Sequence, residues 1–213
     1  MKYQYLIFDF DGVILQSNSA RFAGFEQLMQ DYPEEQVHQW MKYIHTSGGI
    51  SRYSKIRYFF EEVRKESVSE KTVYMLAQKF SDISRQNVID SPFVEGAKEF
   101  LEQHASNYEC SIISGSDQTE LRKICQTIGI ASYFTEILGS PVEKTENMAQ
   151  FLTRNKQSKK RSLYIGDSTN DLEAAATNQI DFLGCQSGLV DWEQYGVPYI
   201  SNLFELSKKI NLL

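Results

Sequence analysis

The chain has 213 residues, enough for one domain or for one domain carrying a sizeable insertion. Hydrophobic residues make up 41%, with only 4 Pro and 12 Gly, which suits a packed globular protein and excludes a disordered or collagen-like one. Lys plus Arg number 22 against 28 Asp plus Glu, a formal net charge of −6. Such a surface does not attract nucleic acid or an anionic membrane over long range, so an anionic ligand requires positive charge gathered locally.

Tyr5-Leu6-Ile7-Phe8 reads as the first buried strand, ending at Asp9. It is too short an apolar run for a signal peptide, and nothing later approaches the ~18 apolar residues of a membrane span. A soluble, cytoplasmic protein is expected. Residues 17–87 carry no buried-strand pattern. Helices are expected over 20–30, 34–45, 54–65 and 69–84, with Pro33 and Gly48-Gly49 as breaks. The aromatic run Tyr53, Tyr58, Phe59, Phe60 reads as packing, as do Tyr74, Met75 and Phe80.

After Ser91-Pro92 the strand pattern resumes, with apolar runs at 111–113, 134–138, 162–165 and 181–184. Helical spacing lies between them, at Leu121, Ile124, Cys125 and Ile128, and again from Asp171 through Ala176. Strand and helix alternating in this way predict an α/β core: a Rossmann-like, doubly wound parallel sheet with helices on both faces. The core is assigned to 1–16 and 88–213, and the all-helical insertion to 17–87. The basic run 156–161 reads as a solvated turn. Cys110, Cys125 and Cys185 form no CxxC and read as reduced thiols in or near the core. His38, His45 and His104 show no metal-ligand pairing.

The chemistry concentrates at strand ends. Asp9 closes the first strand, where open α/β sheets place ligands. Asp11 follows two residues later, beside Gly12. Alone this is equally an acidic loop after a strand. Leu163-Tyr164-Ile165-Gly166-Asp167-Ser168-Thr169-Asn170-Asp171 repeats the pattern, although Asp167 or Ser168 also suits a helix N-cap and Asp171 a helix first turn. Two strand ends that bring carboxylates into one crevice are costly unless a cation holds them, and an oxygen-rich site suits Mg²⁺.

Four segments occur in order across most of the chain: Asp9-Phe10-Asp11-Gly12-Val13, Ile112-Ile113-Ser114-Gly115-Ser116, Gly139-Ser140-Pro141-Val142-Glu143-Lys144, and Gly166-Asp167-Ser168-Thr169-Asn170-Asp171. With them the sequence resembles the haloacid dehalogenase-like hydrolase superfamily, in its phosphatase branch. The resemblance implies Asp9 as nucleophile, forming an aspartyl-phosphate, and Asp11 as the acid and base serving the leaving alcohol and the attacking water. It implies Mg²⁺ held by Asp9, the Asp11 backbone carbonyl, Asp167 and Asp171. It also implies that Ser114, the backbone N–H groups from Gly115 onward, and Lys144 bind the phosphoryl group. Ser114 alternatively caps a helix over 117–129, and Lys144 alternatively lies at the surface near a helix start.

An insertion at this point resembles the helical cap of phosphoglycolate phosphatase and β-phosphoglucomutase relatives. With Asp11 taken as protonated, the acids and a phosphate dianion outweigh Mg²⁺ and Lys144, so the cap is expected to supply positive charge when it closes. Arg52 and Lys55, three apart after Gly48-Gly49, are the candidates; the alternative is a solvated basic helix face. The chain departs from those relatives at Gln16-Ser17, where Asp-Ser is common. It also offers no assignable cap lysine of the kind phosphonate-cleaving relatives use. The expected activity is Mg²⁺-dependent hydrolysis of a small phosphomonoester, a sugar phosphate or a phosphorylated short acid, by a monomer or homodimer. A sugar phosphomutase is the rival, and a non-catalytic module binding a phosphorylated ligand is the alternative of another class.

Overall fold

The computed structural model describes residues 2–155 and 159–213. Of the basic run, 156–158 lies outside these residues, and Lys159–Arg161 forms a short 3-10 turn. In chain order the elements are β1 (Tyr5–Phe8), α1 (Asn18–Leu28), α2 (Glu34–Thr46), α3 (Arg52–Tyr58) and α4 (Glu70–Ile89). They continue with α5 (Ala97–His104), β2 (Glu109–Asp117), α6 (Gln118–Thr127), β3 (Glu136–Ser140), α7 (Lys144–Arg154) and β4 (Ser162–Gly166). The last are α8 (Thr169–Asn178), β5 (Asp181–Cys185), α9 (Trp192–Tyr195), β6 (Tyr199–Ile200) and α10 (Leu206–Ile210).

The strands form one parallel sheet in the order β3-β2-β1-β4-β5-β6. This is the doubly wound α/β architecture expected from the alternation of strands and helices. β1 lies near the middle, with β2 on one side and β4 on the other, so the chain reverses its winding direction there. Crevices at such a reversal open at the carboxyl ends of the strands.

Period-two alternation decides which side chains face which layer. Leu6 and Phe8 pack with Ile112, Leu163 and Ile165 against Phe100 and Leu101 of α5 and Leu121 and Ile124 of α6. Ile7, Ile113 and Tyr164 face the other way, onto Met148 and Phe151 of α7 and Ala174 and Ala175 of α8. Both faces are covered, which explains the continuous apolar runs. Cys110, Cys125 and Cys185 are buried and free, and burial pushes each thiol up to about 12, so none is a nucleophile at neutral pH.

Helices α1 to α4 enclose a separate core around Phe25, Trp40, Phe59 and Phe80. α3 runs on into a single π turn, Phe59–Val63. On α4 the inward stripe is Val73, Leu76, Ala77 and Phe80, at helical spacing. Tyr74 and Met75 fall on the opposite side and are 65% and 61% exposed, so these two, unlike Phe80 and the 53–60 aromatics, do not pack as expected. Two further differences have local causes. β2 runs through Ser114, and the N-cap of α6 is Asp117, whose Oδ1 accepts from the Glu120 amide at 2.9 Å. β6 has two residues, too few to leave an alternating pattern.

Candidate active site

Asp9 leaves the end of β1 with its amide donating to the Ile165 carbonyl of β4 at 2.9 Å, so the sheet ladder sets its position. Asp167, one residue beyond β4, and Asp171, in the first turn of α8, meet it there. Each offers an oxygen within 4.8 Å of the others, and all three are buried. The chain turns at Gly12 with φ +79°, and a Cβ there would lie 1.9 Å from Asp167 Oδ2. Only glycine admits that approach.

Burial raises Asp9, and Asp171 adds like-charge repulsion; Lys144 opposes both, and the carboxyl still stands at about 7. Asp167 is pushed well up by burial, then by Asp9 and Asp171. Asp9 Oδ1 is buried with no hydrogen-bond partner among the described residues. An orphaned carboxylate oxygen in a trio of crowded acids is the donor set of a hard divalent cation, so these residues fit a metal ion.

Asp171 is already engaged. Its Oδ2 accepts from the Asp167 and Ser168 amides at 3.1 and 3.0 Å and from Ser168 Oγ at 2.7 Å, completing a capping box at the start of α8. Its Oδ1 meets Lys144 Nζ and the Tyr164 hydroxyl, the latter at 2.7 Å. Lys144, the first residue of α7, also stands 3.4 Å from Asp9 Oδ2. Burial alone would lower Lys144, but Asp171 and Asp9 outweigh it and hold the ammonium charged. Asn18 reaches Asp167 Oδ2 at 2.8 Å.

Ser114, Gly115 and Ser116 line the same cavity as Asp9 and Asp11. Asp11 accepts from Ser17 Oγ at 2.5 Å, Ser116 Oγ at 2.6 Å and Arg21 Nε at 3.1 Å. Burial would raise it, but Arg21 and the two hydroxyls prevail and hold its carboxyl below the usual range. Asp11 is therefore the ionised partner of Arg21 here, not the protonated acid assumed in the charge count.

The helical insertion closes over these groups. A Cβ on Gly115 would lie 2.1 Å from the Gly49 carbonyl, so the 48–49 loop rests on the 114–116 turn. Arg52 and Lys55 of α3 both line the cavity, but in different states. Arg52 grips Glu120 of α6, Nη1 to Oε2 at 2.8 Å and Nη2 to Oε1 at 3.2 Å, and donates to Ser81 Oγ at 2.6 Å. Its charge is cancelled. Glu120 Oε1 also accepts from Arg21 Nη1 at 2.6 Å. Burial would raise Glu120, but the two guanidiniums hold it far below the carboxylate range. Lys55 has no such partner; burial lowers it to about 7, against the pull of Asp11.

Sequence reasoning missed Arg21, Glu120, Asn18, Ser17, Ser116 and Tyr164. Ser116 and Tyr164 lie inside the quoted segments and Ser17 near the first, and so left a signal; Arg21, Glu120 and Asn18 meet their partners only through the fold. The cavity holds about 60 Å³ open to water-sized spheres, room for about four to six waters. Phe22, Phe25 and Phe80 form its apolar wall.

A family model described as "Haloacid dehalogenase-like hydrolase" matches residues 6–185. A phosphoglycolate phosphatase of Psychrobacter arcticus is 24% identical over 208 residues, covering 88% of this chain and 85% of that protein. Among solved structures, a protein described as a predicted phosphatase from Clostridium acetobutylicum superposes with a TM-score of 0.80 at 17% identity, covering 100% of both chains. Another, described as a predicted phosphoglycolate phosphatase from Haemophilus somnus 129PT, gives 0.76 at 18% identity, covering 99% of both. At these identities the structural likeness carries the fold.

Proposed function

The chain belongs to the haloacid dehalogenase-like hydrolases, and from that membership we propose that it is a Mg²⁺-dependent phosphatase of small phosphomonoesters working through an aspartyl-phosphate. The phosphoglycolate phosphatase relative supports a small phosphorylated metabolite as substrate. The helical insertion 17–87 is its cap over the 1–16 and 88–213 core. No helix among the described residues is long and apolar enough to cross a membrane.

Asp9, the Asp11 carbonyl and Asp167 would hold Mg²⁺, with Asp171 engaged mainly in orienting Lys144 and the 167–168 backbone. When bound, the ion shields the Asp9 carboxylate from the phosphoryl dianion it must meet. An Asp9 carboxylate oxygen attacks phosphorus while Ser114, the Gly115 amide and Lys144 receive the phosphoryl oxygens. The phosphorus–oxygen bond to the leaving group breaks, and the departing oxygen takes a proton from Asp11. Water then gives its proton back to Asp11 and attacks phosphorus, releasing phosphate and restoring Asp9. Arg21 keeps Asp11 ionised for that second half. For the first half, the arriving dianion raises Asp11 toward its protonated form.

The reading rests on Asp9, a buried carboxylate lining the cavity with Oδ1 unpartnered beside Asp167 and Lys144. The small cavity favours hydrolysis over a mutase, which must let a sugar phosphate turn end for end. Phosphate release from a panel of small esters with Mg²⁺ tests it. Turnover should stop on chelation and fall about 10³-fold or more in Asp9→Asn. Isomer formation without phosphate release would select the mutase, and unaltered activity in Asp9→Asn would select a binding module.

A further inference from the structure

Four buried cations stand at the site: Arg21, Arg52 and Lys55 line the cavity, and Lys144 lies behind it, 3.4 Å from Asp9 Oδ2. Three have anions of their own. Arg21 and Arg52 share Asp11 and Glu120, two charges against two. Lys144 meets Asp9 and Asp171. Lys55 is 6% exposed, and its Nζ has no hydrogen bond or ion pair among the described residues. Its ammonium stands 5.2 Å from the centroid of the Phe25 ring, on the apolar wall. A buried ammonium without a partner is costly, and the ring face offsets only part of that.

The place of this cation fixes what it can meet. The phosphoryl oxygens are received on the core side, by Ser114, Gly115 and Lys144. Lys55 comes from the cap and stands against the Phe25 ring of the apolar wall, in the cavity that Asp11, the acid proposed to serve the leaving group, also lines. It therefore faces the ester's other end.

We propose that Lys55 is the specificity-determining residue of the site: its ammonium receives a carboxylate on the leaving group, so the substrate is the phosphate ester of a short hydroxy acid rather than of a neutral sugar or alcohol. This rests on the phosphatase reading. Arg52, its charge cancelled by Glu120, shapes the wall and leaves the recognition to Lys55.

The test compares 2-phosphoglycolate with ethyl phosphate, near-isosteric esters that differ by the carboxylate. With Mg²⁺, wild type should prefer the acid in kcat/KM. Lys55→Gln should cut the ratio of the two kcat/KM values at least tenfold, mainly through KM, and Lys55→Arg should restore part of it. An equal loss on both esters would assign Lys55 to the phosphoryl group and overturn the proposal, as would an unchanged ratio. Calorimetry in the Asp9→Asn background provides a readout without turnover: adding Lys55→Gln should weaken 2-phosphoglycolate binding at least tenfold. Should wild type release phosphate from neither ester, the phosphatase reading fails, and the calorimetric comparison still decides Lys55.

Discussion

Arg21 and Glu120 stand 99 positions apart in the chain, yet their side chains meet at 2.6 Å. One belongs to α1, the other to the first turn of α6. Through Arg21 the contact reaches Asp11, and through Arg52 it reaches α3. A single carboxylate on α6 thus ties α1 and α3 to Asp11, the proposed acid-base residue.

Glu120→Gln leaves two buried guanidiniums short of one charge. Breaking a buried pair from one side costs about 3–5 kcal/mol, so the urea midpoint should fall clearly at pH 7. Folding lowers the Glu120 carboxyl, so its contribution is whole above its ordinary value of 4.5 and is lost as pH falls toward the folded value. The wild-type advantage over Glu120→Gln should therefore shrink through acid, as midpoints measured from pH 6 down to 3 will show. A constant gap would refute the pairing.

Gly115→Ala tests closure. Gly115 is not in a left-handed conformation, so the added methyl acts only by meeting the Gly49 carbonyl at 2.1 Å. The 48–49 loop must lift. We expect kcat/KM to drop by about tenfold or more with the circular dichroism spectrum unchanged, because a misplacement near 1 Å can cost about 10²-fold. Full activity would mean that the loop is not part of the closed site.

Asp9→Asn should separate stability from activity. Folding raises the Asp9 carboxyl from 3.8 to about 7. Wild-type metal-free protein therefore loses stability as pH rises through that window, and the asparagine variant does not. At pH 8 without metal the variant should melt several degrees above wild type, at about 2–4 °C per kcal/mol for a chain of this size. Mg²⁺ should narrow the gap by stabilising wild type. A variant that melts below wild type without metal contradicts this.

Tyr164→Phe removes a hydroxyl shared between Asp171 Oδ1 and the Ile113 carbonyl, each at 2.7 Å. Both acceptors are buried, so a loss of about 1–3 kcal/mol is expected. Asp171 then holds Lys144 less firmly, and turnover should fall severalfold with KM little changed. Thermal melts and steady-state kinetics measure the two effects, and an unchanged kcat would limit Tyr164 to packing.

The chain alone determined the alternation of strands and helices, the insertion after the first strand, and the acids Asp9, Asp11, Asp167 and Asp171. These were legible because an apolar strand running into an acid is a pattern of a few adjacent residues. The fold decided how the remaining charges are shared. Glu120 in sequence is one acid in a helix first turn, and Tyr164 is one aromatic in a buried strand. Arg52 and Lys55 look alike three residues apart. Only the approach of α3 to Glu120 of α6 gives Arg52 a partner and leaves Lys55 without one. The physical reason is range: backbone patterns follow from neighbours along the chain, whereas the strength of a charge depends on burial and on partners that distant segments bring within a few ångströms.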